Sequence, residues 1–133
     1  MRPRYETEAD RERERDVLAA ICLRWDCVAR KLPVDGHTLD YELINPGGRV
    51  IAEIKCRPHR HDYYDTYMIS LGKVRAGGPF GLLIVQFSDG IYWLRFGDKH
   101  ITGLGGRRDR GDPADIEDVA LYPVEQFRYV RGT

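Results

Sequence analysis

The chain has 133 residues, of which 42% are hydrophobic and 32% charged, a composition typical of one globular domain rather than of a disordered segment. Its formal net charge is zero, which excludes a uniformly basic nucleic-acid coat. No apolar run reaches the ~18 residues of a membrane span, and we expect no signal peptide. The three cysteines follow no disulfide spacing, so we expect a cytoplasmic protein with reduced thiols.

The charged segment near the N-terminus predicts a helix. Residues 1–6 are expected to form a flexible lead. Thr7 with Asp10 resembles a capping box, so the helix should begin there, and it should end near Arg24. Extending its apolar stripe by one turn toward the N-terminus reaches Glu14, which should therefore lie on the core-facing side. A solvated charge run is the alternative for Glu14, and it fits Glu8 and Glu12. The apolar stripe itself comprises Val17, Leu18, Ile21 and Trp25.

Three strands should follow the helix. The first is predicted over 26–32, and the next two form a hairpin with strands near 38–45 and 49–56. The segment between the hairpin strands, Asn45-Pro46-Gly47-Gly48, has the residues of a tight turn, because proline fixes one dihedral angle and glycine permits positive φ.

The hairpin carries a candidate metal site. Asp40 lies on its first strand, whereas Glu53 and Lys55 lie on its second strand and share one face. Two carboxylates across a hairpin with a neighbouring amine can bind a hard divalent cation. A solvated sheet face with a cross-strand salt bridge is the alternative. Glu42 could replace or supplement Asp40, whereas Asp35 is expected in a turn.

The second half of the chain predicts one helix and several strands. Apolar residues at helical spacing predict an amphipathic helix over 64–76, and the compact apolar run 81–87 predicts a buried strand. The segment 91–96 should pair with it through a hairpin turn. We expect a long loop over 102–115, with a short strand over 119–122 and a helical turn over 124–127.

Two basic segments are candidate phosphate contacts. Arg57, His59, Arg60 and His61 follow the hairpin at once, and Arg107, Arg108 and Arg110 lie in the expected loop. The loop arginines could instead pair locally with Asp109, Asp112 and Asp115. The spacing of Cys56, His59 and His61 also allows a zinc site, although a structural site would need a fourth ligand.

The segment Leu39-Asp40-Tyr41-Glu42-Leu43, followed by Ala52-Glu53-Ile54-Lys55-Cys56-Arg57, resembles the motif of the PD-(D/E)XK nuclease superfamily. The sequence is most similar to small resolvase-like and phage-encoded members, over roughly residues 8–95. This resemblance implies that Asp40, Glu53 and the carbonyl of Ile54 hold Mg²⁺ or Mn²⁺.

The resemblance also implies roles for three further side chains. Glu14 would correspond to the first-helix glutamate of the superfamily and would reach a second metal or bind through water. Lys55 would orient the attacking water or stabilise charge on phosphorus. Lys73 is the candidate basic residue from the second helix, although a solvated helix lysine is the alternative.

We therefore expect an α/β fold in a single domain over 1–133, with a mixed central β-sheet flanked by helices and a restriction-endonuclease-like core of order α-β-β-β-α-β-β. Residues 97–133 would form a loop-rich C-terminal extension. The expected function is metal-dependent hydrolysis of DNA by a phage or prophage protein, with DNA as partner and a homodimer as in resolvase-like relatives. The alternative is an inactive nuclease-fold module that binds nucleic acid or a protein partner in phage assembly or regulation.

Overall fold

A computed structural model describes residues 8–33, 39–106 and 116–131 of the chain. These residues form two helices, one 3₁₀ turn and nine strands in a mixed α/β arrangement. In chain order the elements are α1 (Glu8–Trp25), β1 (Val28–Lys31), β2 (Tyr41–Asn45), β3 (Gly48–Cys56), β4 (Thr66–Ser70), α2 (Leu71–Gly77), β5 (Leu82–Phe87), β6 (Gly90–Arg95), β7 (Ile101–Gly106), β8 (Ile116–Pro123), the 3₁₀ turn (Val124–Gln126) and β9 (Arg128–Arg131).

The larger sheet has six strands in the order β1-β2-β3-β5-β6-β9. Strands β3 and β5 run parallel, which requires a crossover between them, and the other neighbours run antiparallel. The crossover contains β4 and α2. The predicted hairpin is present as β2 and β3, with Asn45 paired to Gly48 at its turn. The predicted α/β class with a mixed central sheet is confirmed.

The smaller sheet, of order β4-β8-β7, shows where the predicted second helix was wrong. The helix begins only at Leu71, and Thr66–Ser70 is a strand paired with β8. In this strand Tyr67 and Ile69 are buried and Met68 between them is exposed, which is the alternation of a strand. Tyr67, Met68 and Ile69 are apolar in succession, so these residues also fit helical spacing with Leu71 and Val74. Pairing with β8 decided the conformation of the segment.

The predicted loop over 102–115 is wrong for residues 102–106, which belong to strand β7. Residues 107–115 lie outside the described part of the chain. Glycine in β7 has a packing role, since a Cβ at Gly105 would meet Met68 Sδ at 2.6 Å and Val119 at 3.1 Å. The predicted strand over 119–122 and the helical turn after it are confirmed as β8 and the 3₁₀ turn.

The two faces of the larger sheet bury two separate hydrophobic clusters. On one face, Val17 and Ile21 of α1 pack with Ile54 and Ile84. On the other face, residues of the smaller sheet and α2 pack on alternate residues of β5. Side chains along β3 alternate in the same way, so Glu53 points to the face opposite that of Ile54. Of the described helices, none is both long and apolar enough to cross a membrane.

Candidate active site

The register of the hairpin brings Asp40 and Glu53 together. Tyr41 pairs with Ala52, so the next position outward places Asp40 opposite Glu53, although the strand itself begins at Tyr41. The carboxylate of Asp40 accepts a hydrogen bond from the backbone N–H of Ile54. This bond turns Asp40 toward the strand that carries Glu53 and Lys55, which fixes the geometry of the pair.

Glu53 is a fully buried carboxylate, with 0% of its surface exposed. Its Oε1 accepts a hydrogen bond from Lys73 Nζ at 2.8 Å and forms a salt bridge with Lys55 Nζ at 3.4 Å. Its Oε2 is buried and has no hydrogen-bond partner among the described residues. A buried charge needs compensation, and an oxygen left without a partner is costly. Glu53 therefore has one oxygen held by two amines and a second oxygen available to a cation.

The pKa of Asp40 is raised by its surroundings. Burial and the negative charge of Glu53 raise the pKa of the Asp40 carboxyl above its ordinary value, against the opposing effect of Lys73 and Lys55. Two carboxylates that face each other repel when both are ionised, and a bound divalent cation removes that repulsion. The residues present thus fit a hard cation with oxygen ligands.

Helix α1 contributes Glu14 to the same cleft. Val17 and Ile21 are 0% exposed, so the helix packs with its predicted face toward the sheet. One turn earlier, Glu14 is half-buried and accepts a hydrogen bond from the hydroxyl of Tyr41 at 3.2 Å, whereas Glu12 is exposed. The sequence therefore identified the acid of this turn that faces the cleft.

The acidic cleft has a volume of about 390 Å³ and combines residues of α1, β3 and α2 with residues of the segments before β2 and after β3. Its lining residues are Asp10, Glu14, Asp40, Glu53, Ile54, Lys55, Cys56, Arg57 and Lys73. Asp10 is not among the predicted site residues, because the sequence gives it a place in a capping box and in an i,i+3 pair with Arg13, which is present at 2.8 Å. It lies one helical turn before Glu14, on the same side of α1, and this spacing was the available signal.

Lys73 reaches the cleft although its helix is shorter than predicted. It lies in the first turn of α2 and its side chain is 30% exposed, with the amine bonded to Glu53. The alternative of a solvated lysine does not describe this contact. Glu42, the alternative to Asp40, is buried away from the cleft lining and forms salt bridges with Arg30 at 3.0 Å and Arg49 at 3.1 Å. Asp35 lies outside the described residues.

The predicted phosphate contacts separate into three groups. Arg57 is exposed, lines the acidic cleft, and lies with its guanidinium 5.6 Å from the centre of the Tyr67 ring. Arg60 is paired with Asp62 at 3.2 Å and Asp89 at 3.6 Å, so its charge is largely compensated. Arg107, Arg108 and Arg110 lie outside the described residues, as do their suggested partners Asp109, Asp112 and Asp115.

The zinc alternative does not fit the arrangement of Cys56, His59 and His61. Within the described ranges, His61 groups with Asp62 and Asp89, with ligand atoms within 4.8 Å of one another, and this group contains neither Cys56 nor His59. Cys56 Sγ instead donates to Gln86 Oε1 at 3.8 Å. The carboxylate of Asp89 accepts a hydrogen bond from His61 Nδ1 at 2.5 Å. This contact explains why the two side chains lie together.

The chain is similar to a known protein family in sequence and to a solved structure. A family model described as "Phage putative PDDEXK endonuclease" matches residues 1–130 of the chain. No curated protein matches the chain significantly in sequence. Among solved structures, the chain is similar to Hjc, a Holliday junction resolvase of Archaeoglobus fulgidus, with a TM-score of 0.47 and 16% sequence identity. That similarity covers 63% of this chain and 74% of the resolvase chain.

Proposed function

We propose that the acidic cleft hydrolyses DNA phosphodiester bonds with a divalent cation. The premise is that the chain belongs to this family of phage PD-(D/E)XK endonucleases. The observation that carries the proposal is the burial of the Glu53 carboxylate and the partners of its two oxygens. Glu53 is a fully buried carboxylate that faces Asp40, with two lysines on one oxygen and, among the residues that the structure describes, no partner for the other. Such a group is costly unless it serves a ligand.

The residues that would hold the cation are Asp40, Glu53 and the backbone carbonyl of Ile54. Glu14 would contribute a further ligand from α1, directly or through water. When bound, the cation would lower the pKa of a water molecule and neutralise charge on the phosphate. Mg²⁺ and Mn²⁺ both suit oxygen ligands of this kind.

The amines of the cleft would divide two tasks between them. Lys73 bonds to Glu53 at 2.8 Å and would hold that carboxylate in the orientation needed for metal binding. Lys55 is further from Glu53, at 3.4 Å, and its side chain is 36% exposed, so its amine can turn toward substrate. There it would orient the attacking water or stabilise the charge that develops on phosphorus.

Arg57 would hold the phosphate backbone beside the cleft, and Arg107 and Arg108 are proposed as further phosphate contacts. Arg60 would contribute less, because Asp62 and Asp89 compensate its charge. A reducing cytoplasm is the proposed place of action, in agreement with three free thiols. A homodimer would supply two cleavage sites, and sedimentation velocity at micromolar concentration tests this part of the proposal.

A cleavage assay tests the proposed function directly. Wild-type protein with Mg²⁺ or Mn²⁺ is incubated with branched, nicked, blunt-ended and single-stranded DNA and with RNA of the same sequence. We expect cleavage of DNA that disappears with EDTA and in Asp40→Asn and Lys55→Ala. Asp16→Asn, a change at an exposed position of α1, serves as the control and should retain activity. Lack of cleavage on every substrate, with no heat of Mg²⁺ or Mn²⁺ binding in calorimetry, would refute the proposal.

A further inference from the structure

A second cavity lies beside the acidic cleft, and apart from Arg57 its lining residues have no part in the chemistry described above. Its volume is about 380 Å³, at the small end of the range of about 300–1,000 Å³ found for ligand pockets. Rings form much of its wall, and Arg57 lines both this cavity and the acidic cleft. The ring-bearing residues of the wall are His59, His61, Tyr64, Tyr67 and Phe87.

Tyr67 is a lining residue of this cavity and carries an unsatisfied polar group. The residue is only 7% exposed, and its hydroxyl is buried with no hydrogen-bond partner within the part of the chain that the structure describes. Burial raises the pKa of Tyr67 to about 12, so the hydroxyl keeps its proton and can act as a donor. Because a buried hydroxyl without a partner costs free energy, its presence points to a ligand that supplies the missing acceptor.

The mouth of the cavity carries an exposed aromatic side chain. Tyr64 is 59% exposed and lies edge-on to the ring of His59, with centroids 5.2 Å apart. His59 also contacts Phe87, at a centroid distance of 5.7 Å, so the rings of wall and mouth form a continuous surface. An exposed aromatic ring such as that of Tyr64 can stack with a nucleobase of any sequence.

We propose that this cavity, which we call the base pocket, binds one unpaired nucleobase of a DNA strand whose neighbouring phosphate lies at Arg57. The inference rests on the proposed function, because it takes the acidic cleft as the place of the scissile phosphate. Since Arg57 lines both spaces, a nucleotide with its phosphate at the cleft has its base within reach of the pocket.

This assignment restricts the substrate. A base inside a duplex is stacked and paired, and extruding it costs a few kcal/mol. A nucleotide in a bulge, an overhang or a branch point pays little of that cost. The base pocket therefore favours DNA with an unpaired nucleotide at the cleavage position over continuous duplex, through stacking on Tyr64 and a hydrogen bond to Tyr67.

A fluorescence experiment tests the proposal without cleavage. Ca²⁺ replaces Mg²⁺, and the probes are a duplex with 2-aminopurine in a single-nucleotide bulge and the same duplex with 2-aminopurine paired to thymine. We expect wild-type protein to bind the bulge probe more tightly and to quench its fluorescence, because the probe base stacks on the pocket rings. The paired probe should show weaker binding and little quenching.

Two variants and one control assign the effect to the pocket. Tyr64→Ala should lower the affinity for the bulge probe by roughly 5- to 150-fold, as expected for the loss of one base–aromatic stack. Tyr67→Phe keeps the ring and removes only the hydroxyl, and it should lower this affinity by roughly fivefold. Its thermal midpoint should stay equal or rise, since the removed group has no partner. Phe80→Ala, a change at a 77% exposed aromatic at the other end of β5, should match wild type.

The outcomes separate this inference from the proposed function. Equal binding and quenching of the two probes by wild-type protein would overturn the base pocket, and so would wild-type affinity for the bulge probe in both Tyr64→Ala and Tyr67→Phe. Quenching that depends on Tyr64 and Tyr67, in a protein that cleaves no DNA with Mg²⁺ or Mn²⁺, would support the pocket and refute the nuclease proposal. DNA cleavage without selective quenching of the bulge probe would support the nuclease proposal and refute the base pocket.

Discussion

At the scale of single residues, the cleft depends on buried carboxylates whose charges are only partly compensated. Glu53 has two lysines on one oxygen, and Asp40 has a raised pKa because it is buried and faces Glu53. Under the proposed function, a bound cation would complete the compensation of these charges. Side chains that complete the ligand set should then matter for activity far more than their neighbours of the same type.

Glu14 and Glu12 provide a matched pair for that expectation. Glu14 lines the cleft, whereas Glu12 is exposed on another side of the same helix turn. We expect Glu14→Gln to lower single-turnover cleavage by roughly 10- to 100-fold, the usual range for residues that support a metal site. Glu12→Gln should cleave at the wild-type rate. Equal losses in the two variants would show that the helix face has been assigned incorrectly.

The pKa of Asp89 predicts a pH dependence of stability. Burial alone would raise this pKa, but hydrogen bonds from the side chain and the backbone of His61 lower it to about 2 from an ordinary 3.8. The folded state therefore favours the ionised carboxylate, and this contribution is complete above the unfolded pKa and lost as pH falls toward about 2.

Asp89→Asn should lower the free energy of unfolding by about 1–3 kcal/mol near neutral pH, as expected for hydrogen bonds to a charged group. The difference from wild type should shrink from about pH 4 downward, because the wild-type carboxylate then gains a proton. Urea denaturation at several pH values measures it, with Asp118→Asn as an exposed control. A difference that stays constant between about pH 6 and pH 2.5 would contradict this explanation.

At the scale of elements, α2 is short and depends on its packing at the start of β5. It has seven residues, too few to be stable without tertiary contacts. A Cβ at Gly81 would lie 2.6 Å from the Phe96 ring and 2.9 Å from the carbonyl oxygen of Gly77, at the end of α2. This close approach fixes the end of the helix that carries Lys73.

Gly81→Ala should therefore displace α2 and destabilise the protein by about 1–3 kcal/mol, the usual cost of overpacking. Cleavage should also fall, since Lys73 would move relative to Glu53. Gly103→Ala is the matched control, because the nearest atom to its new Cβ is 4.0 Å away. Thermal unfolding and single-turnover cleavage of the two variants measure the effect. A Gly81→Ala protein as stable as the control would show that the contact relaxes without cost.

At the scale of the whole molecule, a net charge of zero makes the placement of free positive charge decisive for DNA binding. Arg57 is exposed at the acidic cleft, whereas Arg60 is compensated by Asp62 and Asp89. Phosphate contacts release counterions, so affinity for duplex DNA falls with the logarithm of salt by ~0.9 for each contact.

Arg57→Ala should reduce the salt slope of DNA binding by about one and weaken binding similarly on different sequences. Arg60→Ala should change the slope less, since its guanidinium already has two carboxylate partners. Filter binding in Ca²⁺ at several salt concentrations provides the measurement. An unchanged slope in Arg57→Ala would place the DNA-facing surface elsewhere on the molecule.

The sequence by itself determined the parts of this protein that depend on local chemistry. The turn residues Asn45-Pro46-Gly47-Gly48 specified a hairpin, and alternation along its second strand placed Glu53 and Lys55 on one face. The apolar stripe of α1 identified Glu14 as the acid beside the core. The resemblance to the PD-(D/E)XK superfamily is confirmed by the family that matches residues 1–130.

Only the tertiary structure decided features that depend on pairing between distant segments. Thr66–Ser70 became a strand because β8 pairs with it, and no local pattern distinguished this from the helix that was predicted. The hydrogen bond from Lys73 to Glu53 follows from packing between distant segments. So do the salt bridges of Glu42 with Arg30 and Arg49, which hold Glu42 away from the acidic cleft. The base pocket arises in the same way, since the segment after β3 and the strands β4, β5 and β8 meet there only in the folded chain. Local sequence encodes turns and faces, whereas contacts between distant residues are fixed by the shape of the complete core.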